Sequence, residues 1–249
     1  MNNDFNPQDN PQDEPLPFRK SPNERGGPRR LSKGMLIAIY VILTALLCTA
    51  AFLVGSKIGK KAEIKAKQIA TEATDTETGW NTPQYVVYKP IVENEYSRPG
   101  TKLEKIDGVV VHYVANPGTT ASQNRSYFNG LAESGATWAS SHFIIGIEGE
   151  VLQIIPLNEI AYTSNNRNSD TVSIECCHPE EDGKFSDATY SSLVKLTADL
   201  CREFDLDPRT DVIRHYDVTG KLCPLYFVEH EDAWREFLTD VAAALTVSK

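Results

Sequence analysis

Basic charge is in short supply. The chain holds 25 Lys and Arg against 34 Asp and Glu, for a formal net charge of −9. The deficit is concentrated after Pro83, where 14 basic side chains face 25 acidic ones, whereas residues 1–83 carry 11 and 9. A nucleic-acid binder normally presents a basic face, so no nucleic acid is expected as a partner. Cysteine is sparse too. Of the five, Cys48 lies inside an apolar run, and Cys176, Cys177, Cys201 and Cys223 are too few and too irregularly spaced for a small disulfide-built scaffold. No internal repeat is apparent.

Two further absences divide the N-terminal third. Residues 1 to about 30 have almost no aliphatic side chains and are rich in Asn, Pro, Gln, Asp and Arg, so burial cannot offset the entropy of ordering them and a disordered tail is expected. From Gly34 to Ser56 no residue is charged, a run long enough to cross the ~30 Å hydrocarbon core as a helix. The competing reading is a cleaved signal peptide, with Thr49-Ala50-Ala51 as the peptidase site, but the apolar run is longer than a secretory h-region and its leader is long. Arg19, Lys20, Arg25, Arg29, Arg30 and Lys33 precede the run, while Lys57, Lys60, Lys61, Lys65 and Lys67 follow it. Charge therefore favours an inside N-terminus only narrowly. The expected organisation is a disordered cytoplasmic tail (1–33), a transmembrane helix (34–56), a stalk and linker (57–83) and a globular domain (84–249).

In the globular part strand-like and helix-like segments alternate, which points to an α/β layer architecture. Ile106–His112 is a short Val-rich run suited to a strand buried on both faces. Ser122–Ser134 predicts a helix stopped by Gly135. His142–Ile147 and Val151–Ile155 flank Glu148-Gly149-Glu150 as a hairpin. Thr171–Cys177 predicts a strand, and Ser186 an N-cap for a helix in which Tyr190, Leu193, Leu196, Leu200 and Phe204 recur at helical spacing up to Asp205. Val212–His215 reads as a strand and Glu229–Leu245 as a closing helix.

The chemistry-bearing residues cluster at expected element ends. His112 closes a buried strand, and ligand sites in open α/β sheets lie at such ends. His215 and Cys223 bracket the loop Tyr216–Leu222. Imidazole and thiolate are both good zinc ligands, and three protein ligands leave a fourth tetrahedral position open. Each residue taken alone has a bland explanation, a hydrogen-bonded histidine or a small buried thiol. The combination carries the expectation.

Four segments, Val110-Val111-His112-Tyr113, Ser140-Ser141-His142-Phe143-Ile144-Ile145, Asn168 to Glu175, and Arg214-His215-Tyr216-Asp217 through Lys221-Leu222-Cys223-Pro224, resemble in that order the type 2 N-acetylmuramoyl-L-alanine amidases, a family that includes phage lysozyme-type amidases and peptidoglycan recognition proteins. The resemblance covers about Tyr85 to Leu238. It implies a mixed central β-sheet flanked by α-helices, one Zn2+ held by His112, His215 and Cys223, Glu175 as general base and Lys221 as the cation facing the developing oxyanion. It further implies hydrolysis of the amide between MurNAc and L-Ala, with peptidoglycan as partner. That chemistry requires the domain outside the cell, hence a single-pass protein of the cell membrane with its N-terminus in the cytoplasm. The alternative is a non-catalytic peptidoglycan-binding module of the same fold; such modules commonly lack the cysteine, which Cys223 supplies here.

The sequence also departs from the family. Ser141 stands where other branches place a tyrosine, which removes a tyrosine-assisted mechanism from that position. Ala161-Tyr162-Thr163-Ser164-Asn165 replaces an Ala-Trp-His-Ala-Gly segment, which affects substrate contacts more than the metal. His142 is expected to be structural, and His178 has no assigned part. Strand alternation puts one of Cys176 and Cys177 on the cleft side, and pairing of either with Cys201 is left open.

Overall fold

In the computed structural model, which describes residues 80–247, the Val-rich run becomes strand β2, Val109–Tyr113. It sits inside a six-stranded sheet with β1 (Val86–Tyr88), β3 (Phe143–Ile145), β4 (Val151–Gln153), β5 (Val172–Cys176) and β6 (Val212–Arg214). The order across the sheet is β1-β4-β3-β5-β2-β6. Only β3 and β4 pair antiparallel, as the expected hairpin; every other pair is parallel. The hairpin reverses through Gly149 at φ 84°, a left-handed conformation that glycine adopts without steric cost.

The helices start and stop where local chemistry predicts. In α1 (Ala121–Ser134) the Thr120 hydroxyl accepts from the Gln123 N–H while the Gln123 side chain accepts from the Thr120 N–H, and Gly135 ends the helix in the left-handed region. In α2 (Asp187–Phe204) Ser186 accepts from the Thr189 N–H, Asp187 lies in the first turn, and Asp205 closes the C-terminus. The last helix, α5, runs Glu231–Val247.

One face of the sheet is covered by α2 and α5, where Leu193, Leu196, Leu200, Phe237 and Val241 meet Val109, Val111, Val172 and Ile174. Each such side chain, fully buried, contributes about 1.5–3 kcal/mol. The other face carries a smaller core in which Phe128 and Leu131 of α1 pack with Ile144, Leu152, Ile154 and Ile155.

Differences from the sequence-based expectations are local. β1 was not expected; it is three residues long with Val87 exposed, too short to display an alternating pattern. Strand β6 stops at Arg214 instead of His215, because the Asp217 carboxylate accepts from the Arg214 N–H at 2.9 Å and turns the chain into a short helix, α3 (His215–Thr219). The closing helix is preceded by a separate turn, α4 (Leu225–Glu229). Trp80, inside the segment expected as linker, is buried against Phe204 in a stacked ring pair. The tail and the apolar run 34–56 lie outside the described residues, and no described helix is long and apolar enough to cross a membrane.

Candidate metal centre

Three parallel strands deliver the site. β2 pairs with β5 so that His112 lies directly opposite Glu175, and with β6 so that Val111 lies opposite Arg214, the residue before His215. Side chains alternate across a strand, so with Val109, Val111, Val172 and Ile174 committed to the α2–α5 core, His112 and Glu175 point to the opposite face. His215 opens α3. Gly220, at φ 77°, ends that helix by donating to the Tyr216 carbonyl, and the Tyr216 N–H then captures the Cys223 carbonyl at 2.9 Å. That bond folds the loop back, placing the thiol beside the two rings. The Cys223–Pro224 peptide bond is cis.

The result is a buried trio. One ligand atom from each of His112, His215 and Cys223 lies within 4.8 Å of the others. His112 Nδ1 is 3.7 Å from Cys223 Sγ, and the two rings are 4.7 Å apart. Two ligands of a tetrahedral zinc, one nitrogen and one sulfur, are separated by about 3.6 Å given usual bond lengths, so the observed spacing fits. A second observation agrees: His215 Nδ1 is buried with no hydrogen-bond partner, a state that costs free energy unless something coordinates it.

Electrostatics suit a cation. Burial, reinforced by the charges of His215 and Lys221, pushes the His112 pKa well below the usual histidine range; burial and Lys221 lower that of His215. Both shifts favour the neutral ring, the form that coordinates metal. Burial and then Glu175 raise the Cys223 thiol to about 12, against the Tyr113 N–H and Lys221; a divalent ion would reverse that balance, since a coordinating thiol is deprotonated outright. Glu175 is half-buried, with Oε2 sealed and unpartnered, and burial lifts its carboxyl to about 8 against the pull of Lys221. Lys221 itself is exposed, yet its charge is felt at His112, Glu175, His215 and Cys223.

The remaining residues singled out in the sequence have other duties. His142 is buried, with Nδ1 accepting from the Ser173 N–H at 3.0 Å and Nε2 donating to the Glu159 carbonyl at 2.9 Å, a structural role as expected. The Ser141 hydroxyl is occupied by the Phe143 and Ser173 carbonyls. Thr163 donates to the Ser140 carbonyl. His178 Nδ1 bonds the Glu180 carbonyl, and its ring lies 5.1 Å from that of Tyr113. The four cysteines of the described residues are free and buried, Cys176 with Cys201 in the larger core and Cys177 in the smaller.

Two contributors escaped the sequence reading. Arg214, immediately before His215, is buried; its guanidinium binds both Asp217 oxygens, the Phe227 carbonyl and Glu231, tying both ends of the Cys223 loop together. The Arg-x-x-Asp spacing was a usable signal, read only as part of a family block. Ser164 Oγ lies 3.1 Å from His112 Nε2, and nothing local in the sequence marks it. Beside this loop runs an open groove: Trp138, Tyr162, Thr163, Asn165 and Asn168 line a hollow of about 270 Å³. Trp138 and Tyr162 also border a second hollow, of about 460 Å³, with Glu93 and Glu95. A cavity of about 280 Å³ near Lys184, Tyr190 and Tyr226 belongs to the α2–α5 side.

Residues 102–225, which contain His112, Glu175, His215, Lys221 and Cys223, match the family model described as N-acetylmuramoyl-L-alanine amidase. The chain belongs to this type 2 amidase family. The chain is 36% identical over 179 aligned residues to the N-acetylmuramoyl-L-alanine amidase CwlL of Bacillus licheniformis, covering 66% of this chain and 49% of that protein. It is 34% identical over 179 residues to BlyA of Bacillus subtilis (strain 168), covering 64% and 47%. The chain thus spans about half the length of the curated relatives it matches. Among solved structures, the PlyG catalytic domain has a similar fold at TM-score 0.55 and 20% identity, over 66% of this chain and 97% of that one. The catalytic domain of XlyA does so at TM-score 0.52 and 24% identity, over 63% and 98%.

Proposed function

We propose that the chain is a zinc-dependent N-acetylmuramoyl-L-alanine amidase that hydrolyses the amide joining MurNAc to L-Ala in peptidoglycan. The observation that carries this reading is the convergence of two imidazoles and one thiol on a buried point, with the Glu175 carboxyl on the adjacent strand at the same level. His112, His215 and Cys223 would hold the ion. When bound, zinc supplies Lewis acidity, polarising a carbonyl and making a water acidic near pH 7.

The chain's own residues do the rest. The Glu175 carboxyl, lifted to about 8 by burial, would be drawn back toward its ionised form by the charge of a bound cation. Its Oε2, without a partner among the described residues, then takes a proton from the attacking water and passes it to the L-Ala nitrogen as the amide bond breaks. Lys221 supplies positive charge to the tetrahedral oxyanion, a contribution of about 10²–10³ in rate for one such group. The Trp138–Tyr162 groove gives an extended wall polymer a place to lie. The uncharged run 34–56 supports anchoring in the cell membrane, with the tail inside and the amidase domain outside.

The test uses the purified full chain with bacterial cell walls. Zinc-loaded protein is expected to release new L-Ala amino termini, to lose this with a chelator and to regain it with added zinc. Cys223→Ser is expected to lose both zinc, by elemental analysis, and activity, by about 10³ or more, given that metal stabilisation is worth several kcal/mol. A folded, zinc-loaded chain that frees no L-Ala termini from any wall type overturns the reading. Membrane fractionation, with protease added from outside, tests the anchor.

A further inference from the structure

We propose that Ser164 is a positioning residue for the metal centre, its hydroxyl holding the His112 ring in the orientation and tautomer that turn Nδ1 toward Cys223 and His215. The inference rests on the zinc reading above and adds a residue to it.

An imidazole presents two nitrogens, and a neutral ring carries its proton on one of them. His112 is buried, with Nδ1 on the Cys223 side at 3.7 Å from Sγ and Nε2 at 3.1 Å from Ser164 Oγ. If Ser164 accepts from Nε2–H, the lone pair of Nδ1 faces the other two ligands; the opposite tautomer would aim a proton at the site. Hydrogen bonding at the far nitrogen is the device that fixes ring orientation and raises ligand basicity in metal sites.

Ser164 is itself held from both sides. Its own N–H and that of Thr163 both donate to Asn168 Oδ1, at 2.6 and 3.0 Å, and its carbonyl accepts from the Arg167 N–H at 3.0 Å. Thr163 Oγ1 is fixed in turn by the Ser140 carbonyl and the Ser173 hydroxyl. The turn is thus defined by backbone groups and neighbouring side chains, and the Ser164 hydroxyl is left with His112 as its one partner among the described residues. Deleting that oxygen removes the grip on the ring and leaves the turn intact.

The experiment measures zinc affinity by competition against a chromophoric chelator for the full chain, Ser164→Ala and Ser164→Thr, with melting temperatures of the zinc-free forms alongside. Ser164→Ala is expected to weaken zinc binding roughly 10–100-fold with its zinc-free melting temperature unchanged. Ser164→Thr, which keeps the hydroxyl, is expected to restore most of the affinity. Nitrogen-15 NMR of zinc-free wild type is expected to place the His112 proton on Nε2. Wild-type affinity in Ser164→Ala overturns the proposal, as does a proton on Nδ1 in the wild type, which needs no variant to fold. A wild-type chain that takes no zinc removes the metal centre itself, a failure distinguishable because it appears before any variant is compared.

Discussion

The two faces of the same central strands are built to opposite rules. On one, Val109, Val111, Val172 and Ile174 meet the aliphatic and aromatic side chains of α2 and α5. On the other, one residue along, stand His112, Ser173 and Glu175, joined by His215 just beyond β6. Two buried polar atoms there, Glu175 Oε2 and His215 Nδ1, have no partner, which costs roughly 1–3 kcal/mol each. A sheet of period two can thus separate stability from chemistry at single-residue resolution. The apolar face supplies the surplus that lets the other keep polar groups under-satisfied. The separation is sharpest at the C-terminal ends of β2, β5 and β6, where parallel strands bring the candidate ligands together.

The largest expected effect tests whether the polar face is purely functional. Glu175→Gln should lower wall hydrolysis by about 10²–10⁴ while zinc content and melting temperature stay at wild-type values; near-normal turnover would take the general base away from this face. The converse variant, Phe237→Ala, should cost about 3–5 kcal/mol in denaturant unfolding yet leave the zinc affinity of the folded fraction unaltered. A loss of affinity there would show the faces to be coupled.

His142 blurs the division, because it sits near the polar face but serves structure. Burial lowers its pKa from 6.5 to about 4, against the raising effect of its bond to the Glu159 carbonyl. Above pH 6.5 neither folded nor unfolded chain is protonated there, so its stabilisation is complete. As pH falls toward 4 the unfolded chain alone takes up a proton, and stability drops by up to about 3 kcal/mol. Chemical denaturation across that range should show a slope that His142→Gln flattens. The smallest effect concerns a helix on the polar side: Thr120→Ala removes the α1 cap and should cost about 1 kcal/mol, read as a small drop in melting temperature with unchanged zinc binding.

Much of the architecture was legible because its determinants are local. Gly135 and Ser186 mark a helix end and start within a residue, Glu148-Gly149-Glu150 marks the hairpin, and the Val-rich run marks β2. The convergence of the candidate ligand trio was legible through its residue types, the strand-end position of His112 and the family resemblance of the His215–Cys223 block. β1, at three residues, carried too little pattern, and the helical start at His215 depended on a side-chain cap from Asp217 that competes with strand extension.

By itself, then, the sequence determined the alternation of elements, the caps, the acidic character of the domain and the identity of the candidate ligands. Only the tertiary structure decided that His112 meets Ser164 across 52 positions and Cys223 across 111, and that Arg214 clamps the loop between the last two candidate ligands. Caps and strand periodicity act over a few residues and leave their mark in any short window. Partnerships across distant segments exist only once strand register is set, and a slip of one residue would turn His112 into the apolar core.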